Sequence, residues 1–178
     1  DEFKKFYTNR NFTYKSYIVK GNAEKINMLT QLMDQHEITY GFAENGNVKG
    51  FDFKTGRISS MRTDKNDLIV STNQPKGKLV KVLFEPKTKL SDSLTYDITA
   101  WSLPYAYGLD AIASQSTVPA VSSKTVNYDW QEIREDAYAY LTDWNSMTDA
   151  RFLATLLKQN IRVRHAVKPF EIDGIRYK

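Results

Sequence analysis

Tyr17-Ile18-Val19-Lys20 is a short β-branched run, followed by Gly21-Asn22 and then by Ile26, Leu29, Leu32 and Met33 at helical spacing. This order of signals constrains the fold more than any other feature, because it recurs near the other end of the chain. The first run predicts a strand, Asn22 an N-cap, and the apolar positions one face of a helix from about Ala23 to Gln35. Ile38-Thr39-Tyr40-Gly41-Phe42 predicts the next strand, which completes a β-α-β unit. In the second occurrence Tyr138-Ala139-Tyr140-Leu141 predicts a strand, and Ser146-Met147-Thr148-Asp149 is a start of the capping-box kind. Phe152, Leu153, Leu156 and Leu157 then form a helix face, and Ile161-Arg162-Val163-Arg164 alternates as a strand does.

The two copies also share text. Leu29-Thr30-Gln31-Leu32-Met33-Asp34-Gln35-His36-Glu37-Ile38 matches Leu153-Ala154-Thr155-Leu156-Leu157-Lys158-Gln159-Asn160-Ile161 with one deletion, and Phe51-Asp52-Phe53 is echoed by Phe170-Glu171-Ile172. Duplication explains the shared order better than chance similarity of amphipathic helices. The first copy runs on through a strand at Asp67-Leu68-Ile69-Val70. A helix start at Thr72-Asn73-Gln74-Pro75 follows, and Leu79, Val82 and Leu83 line a helix that ends before Pro86. Gly46, Gly50 and Gly56 suit hairpin turns rather than a phosphate loop. The expected fold is α/β, two related β-α-β units with mixed sheets and packed helices. Residues 1–112 make the first unit, with its extra strand-helix and aromatic segment. Residues 113–125, where six of 13 are Ser or Thr, make an exposed linker or loop, and 126–178 a second, truncated unit. Asp173-Gly174 predicts a hairpin turn. An Asp at position 1 and a chain that stops just after this turn are the pattern of a segment cut from a longer protein.

Composition removes several chemistries. Hydrophobic residues are 41% of the 178 and charged residues 26%, ordinary values for a globular chain. No apolar run reaches the roughly 18 residues of a membrane span. Cysteine is absent, which excludes disulfides, thiolate metal sites and cysteine nucleophiles, and the only histidines are His36 and His165. Residues 1–89 hold 16 Lys and Arg against 10 Asp and Glu, and residues 90–178 hold 9 against 11. Lys15, Lys20, Lys25, Lys49, Lys54 and Lys65 of the basic half stand singly, while Lys76, Lys78 and Lys81 cluster. This is the pattern of a solvated face and not of a nucleic-acid site. Asn11-Phe12-Thr13 is a glycosylation sequon.

The most distinctive text lies between residues 68 and 110: Asn73-Gln74-Pro75, Leu79-Val80-Lys81-Val82-Leu83-Phe84-Glu85-Pro86 and Tyr96-Asp97-Ile98-Thr99-Ala100-Trp101-Ser102-Leu103-Pro104. Together with Arg151-Phe152-Leu153-Ala154 through Lys168-Pro169-Phe170, it resembles the region that follows the catalytic domain in large secreted zinc-carboxypeptidase-family proteins of Bacteroidetes. The resemblance covers nearly the whole chain. It implies a secreted or periplasmic parent that is a zinc metallopeptidase, with this segment as an accessory region that supports or docks the catalytic domain of the same chain. Asp92-Ser93-Leu94 resembles the O-glycosylation motif of the same bacteria. The zinc belongs to the parent only. The family's His-x-x-Glu motif is matched neither at His36 nor at His165, so no catalytic or metal residue carries over, and no cofactor is expected in the segment.

One local feature bears on binding. Tyr96, Trp101, Tyr105 and Tyr107 crowd into twelve residues with Pro104 and Gly108. Aromatic side chains of this kind either seal a core or, exposed, form a surface for a partner, a peptide or a polysaccharide. The mixed neighbours of Trp101 favour the core for that residue, while Tyr105 and Tyr107, following Pro104, are expected on a loop. A carbohydrate- or peptide-binding module using Trp101, Tyr105 and Tyr107 is therefore a second functional expectation. An amidotransferase-like hydrolase unit is a third, weakened by the missing cysteine.

Overall fold

The computed structural model describes residues 2, 11–87, 101–121 and 135–177. The chain divides into two units, Asp1–Tyr128 and Asp129–Lys178. Tyr96 and the part of the aromatic segment up to residue 100 lie outside the described residues, as do Asp92-Ser93-Leu94 and positions 122–125 of the expected linker.

In the first unit β1 (Ser16–Lys20) is the strand the sequence predicts, and its residues Tyr17, Ile18 and Val19 are all buried because both of its faces are covered. Helix α1 spans Ala23–Gln35, the predicted bounds. Asn22 accepts the Lys25 backbone N–H at 2.9 Å, filling the N-cap, and Ile26, Leu29 and Met33 are buried along one stripe. The helix stops in a Schellman turn. The Ile38 N–H donates to the Met33 carbonyl at 2.9 Å and the Glu37 N–H to that of Asp34 at 3.0 Å, with Glu37 left-handed at φ 55°.

The remaining strands are β2 (Gly41–Phe42), β3 (Gly46–Asp52), β4 (Ile58–Thr63), β5 (Leu68–Ser71) and β6 (Asp110–Ser114), with helices α2 (Gly77–Phe84) and α3 (Leu103–Ala106). The sheet order is β2-β5-β1-β6-β3-β4, and each neighbouring pair is antiparallel. The fold is mixed α/β, as expected, but the sheet itself is not mixed. β1 and β2 both run antiparallel to β5, which lies between them, so the expected β-α-β is a split one. The second strand is also shorter than predicted, since Ile38 is used in the Schellman turn. Helix α2 begins at Gly77, not at Pro75, and it is Val80 and Phe84 that it buries, while Val82 is exposed.

The two sheet faces have different covers. Tyr17, Val19, Leu68, Val70, Ala111 and Ala113 pack beneath Ile26, Leu29 and Met33 of α1 and Val80 and Phe84 of α2. Each such aliphatic side chain contributes on the order of 2 kcal/mol when fully buried. On the other face Ile18, Ile69 and Ile112, aligned by register, meet Val48 and Met61 of the far hairpin. Strands at opposite sides of the sheet are joined by the short links 43–45 and 64–67, so the sheet must curl. Thr63 Oγ1 donates to the Glu44 carbonyl at 2.7 Å and the Ala43 N–H to that of Asp67 at 2.9 Å where the edges meet.

Lys20 closes this corner. Its Nζ reaches Asp64 at 3.0 Å, Asp67 at 3.1 Å and the Arg62 carbonyl at 3.2 Å. Burial works against the Lys20 ammonium, but the hydrogen bonds it donates to both carboxylates outweigh it and raise its pKa. Asp67, whose side chain is almost wholly buried, is pushed up by desolvation in spite of the lysine.

Residues 113 and 114 were expected to open a linker. They instead complete β6, and Val118 packs against the Ile18 cluster. Val121 bridges Phe42 through N–H to carbonyl bonds of 2.9 and 3.1 Å. Of the three glycines assigned to hairpin turns, only Gly56 turns the chain, while Gly46 and Gly50 lie within β3.

The second unit contains helix α4 (Met147–Lys158) and a hairpin of β7 (Phe170–Ile172) and β8 (Ile175–Tyr177). The capping box forms as read: Ser146 Oγ accepts the Asp149 N–H, and the Asp149 carboxylate accepts the Ser146 N–H. Asp173 and Gly174, at φ 51° and 77°, make the predicted tight turn, and the Phe170 and Tyr177 rings stack at 5.0 Å. The strands expected at residues 138–141 and 161–164 do not form. A strand needs a neighbour to satisfy its backbone, and Tyr138, Tyr140, Ile161 and Val163 are exposed. The second β-α-β unit is therefore not present. What the two units share is a capped helix with the same Schellman end, here Ile161 N–H to Leu156 carbonyl at 3.0 Å, with Asn160 at φ 57°.

Candidate recognition surface

Helix α3 is a single turn, entered through Ser102 and Pro104 and left through Gly108 at φ 59°. The Leu109 N–H donates to the Pro104 carbonyl at 2.8 Å, and Lys25 Nζ of α1 donates to the Gly108 carbonyl at 3.2 Å. Leu103 and Pro104 are buried, so the turn is seated on the first unit at both ends.

The three aromatic residues read from the sequence have different places on it. Trp101 is 75% exposed and Tyr105 44%, while Tyr107 is partly buried against the main core. The expectation that Trp101 seals a core is overturned: the residue immediately before the seated turn projects from it. The Tyr105 hydroxyl donates to the Phe53 carbonyl at 3.1 Å, and its ring lies 5.1 Å from that of Phe53. Burial, and then the Asp52 charge, raise the Tyr105 phenol above its ordinary pKa, so it is a neutral donor at physiological pH.

Residues not read from the sequence support the surface from beneath, Phe53 buried in the main core and Phe51 packed against it. Phe53 meets Phe51 edge-on at 6.3 Å, and Lys87 Nζ lies 5.4 Å above the Phe51 ring. A short aromatic row thus runs Phe51, Phe53, Tyr105. The signal for it was Phe51-Asp52-Phe53 ahead of a Gly-containing turn, but nothing in the sequence ties that hairpin to Tyr105. Asp52 between the two rings is spent locally. Its carboxylate accepts the Lys54 and Thr55 N–H groups at 2.8 and 3.1 Å and the Ser59 hydroxyl at 3.0 Å. Burial opposes its charge but these bonds outweigh it, and its pKa is lowered.

Chemically, this is a surface for contact. An exposed indole offers a flat apolar face and one N–H donor, suited to a sugar ring or to an apolar side chain of a partner. His36 caps α1 in the first unit and His165 is exposed in the second, and among the described residues no group of three or more His, Asp or Glu is arranged to hold a metal ion. The second unit has an open pocket of about 350 Å³ beside Leu141, Asn145 and Tyr177, but its Asp149 is committed to the helix cap. Comparison with protein-family models, curated proteins and solved structures finds no match to this chain.

Proposed function

We propose that this chain is a non-catalytic accessory module, docking through the surface centred on Trp101 to the catalytic domain of a secreted zinc-carboxypeptidase-like parent. The observation that carries the docking role is a tryptophan three-quarters exposed on a turn whose following residues are fastened down. A large aromatic held on a rigid base loses little entropy on binding, and such residues dominate interface energies. The parent is carried by the sequence resemblance around residues 68–110 and 151–170.

A second reading, a carbohydrate- or peptide-binding module, draws on the same indole and on the 44% exposed Tyr105 ring beside it. One experiment separates the two. The chain with Trp130→Phe and Trp144→Phe keeps Trp101 as its only indole. Its fluorescence is followed during addition of the domain encoded upstream, and separately of cello-, xylo- and chito-oligosaccharides. A blue shift with the upstream domain, together with His-x-x-Glu in that domain, is the expected result. A shift with an oligosaccharide alone establishes the second reading, and no shift with any of them overturns both.

A further inference from the structure

The two edges of the six-stranded sheet are treated differently. At β2 the Phe42 backbone is paired on its outer side with Val121. At β4 the Asp52 N–H donates to the Arg57 carbonyl at 2.8 Å, and the register continues as Gly50↔Ser59, Val48↔Met61 and Gly46↔Thr63. Antiparallel pairs alternate between bonded and non-bonded. The backbone groups of Ser59, Met61 and Thr63 therefore face β3, and those of Ile58, Ser60 and Arg62 face away. Among the described residues only one of these outward groups has a partner, the Arg62 carbonyl, which accepts from Lys20. Among the described residues nothing but Lys20 covers this edge, and β4 has six residues in unbroken register, no proline and no bulge, with Arg62 its one charged side chain.

The face beside this edge has one sign of charge. Side chains on the same face of the hairpin as Ile58 are Asn47, Lys49 and Phe51 of β3 and Ser60 and Arg62 of β4, with Lys87 over Phe51. No carboxylate is among them. Lys49 and Arg62 are exposed, and among the described residues neither forms an ion pair. Ile58 between them is 60% exposed.

We propose that the outer edge of β4 takes an extended segment of a partner protein as an added strand, and that this segment carries carboxylates at alternate positions. Main-chain pairing to Ile58 and Ser60 supplies the affinity, and the cations Lys49 and Arg62 select the acidic face, since side chains at alternate positions of the incoming strand lie on the same side as theirs. The proposal rests on the β4 backbone with Lys49 and Arg62 and does not require Trp101, although Phe51 and Lys87 adjoin both surfaces.

The probe is a blocked heptapeptide alternating Glu and Val, added to the full chain at millimolar concentration, with backbone amide exchange followed residue by residue. Exchange at Ile58 and Ser60 is expected to slow by about tenfold or more, with Ser59 and Met61, already paired, unchanged. The same peptide with Lys for Glu, and one N-methylated at alternate residues, are expected to give no protection. Ser60→Pro removes an outward N–H that β3 does not use, and is expected to keep the fold and abolish protection at Ile58. Should that variant fail to fold, the N-methylated peptide makes the same test from the ligand side. Unchanged exchange at Ile58 and Ser60 with the Glu peptide overturns the proposal, as does equal protection by the Lys or the N-methylated peptide.

Discussion

The side-chain amide of Gln74 pairs with the backbone of Thr39 as a neighbouring strand would: the Thr39 N–H donates to Oε1 and Nε2 donates to the Thr39 carbonyl, both at 2.7 Å. Nε2 also donates to the Ser71 carbonyl at 2.7 Å, and Gln74 is buried. One side chain thus ties the end of β5 to Thr39, in the passage from α1 into β2. Gln74→Ala leaves three backbone groups short of a partner and is expected to cost about 2–4 kcal/mol, read as a lower midpoint in urea. Gln74→Glu sets an oxygen against the Thr39 carbonyl and is expected to fall in the same range.

Gly50 lies where the β3 backbone runs close against that of β6. A Cβ there would meet the Ala113 carbonyl oxygen at less than contact distance and its carbon at 2.8 Å. The obstacle is backbone in a buried strand, so it cannot swing aside. Gly50→Ala is expected to cost about 2 kcal/mol or more through displacement of β6, in contrast to Gly56→Ala, where nothing crowds the site and only the left-handed φ is at stake, at about 1 kcal/mol. Denaturation midpoints of the two variants give the order.

Alkaline pH should act through the core tyrosine. Burial, followed by the charge of Glu85 and by Tyr14, pushes the Tyr17 phenol far above its ordinary value, and Tyr14, Tyr40 and Tyr105 are raised chiefly by burial. Lys20 is raised as well, against its burial, by Asp64 and Asp67. A group with its folded pKa above its unfolded one contributes stability that is complete below the unfolded pKa and is lost as pH climbs through the folded value. All five therefore act in one direction, and stability is expected to be flat up to about pH 9 and to fall steeply above about 10. Tyr17→Phe removes the most shifted of them, and its stability should decline less steeply over the same pH range. Equal slopes for the two proteins would show that Tyr17 is not the group concerned.

Most local signals in the sequence proved accurate, the helix start at Pro75 and the turns at Gly46 and Gly50 excepted, and the pairing signals did not. The bounds of α1, the Asn22 cap, the Ser146 capping box and the Asp173-Gly174 turn depend on neighbours a few residues away, and each formed as read. Alternation in Ile161-Arg162-Val163-Arg164 shows only that a strand would have two unlike faces, and does not provide a strand to pair with. The curling of the sheet, which brings Met61 onto Ile18, follows from the two links 43–45 and 64–67 acting together, and neither is unusual alone. The same holds for the candidate site. Tyr105 could be picked out by its company of aromatics, but its partner Phe53 lies 52 residues earlier. The mixed neighbours of Trp101 pointed to the core, whereas its exposure depends on where the chain is pinned, at Leu103 and Pro104, just beyond it.

That pinning sets the last expectation. Trp101, 75% exposed, gives up little surface on folding, so Trp101→Ala should leave the midpoint within about 0.5 kcal/mol of the parent chain. Tyr105→Phe keeps the ring against Phe53 and removes one hydroxyl bond to its carbonyl, an expected loss of about 0.5–1.5 kcal/mol. Tyr105→Ala removes the ring as well, and the aromatic contact at 5.1 Å adds about 0.5–1.5 kcal/mol to the burial it forfeits. The stability order should therefore be Trp101→Ala, then Tyr105→Phe, then Tyr105→Ala. Binding should follow a different order, with Trp101→Ala the most damaged and Tyr105→Phe close to the parent. A surface that had evolved only to pack would give the same order in both measurements. A Trp101→Ala chain less stable than Tyr105→Ala would show that the indole is a packing residue, and the recognition surface would lose its central member.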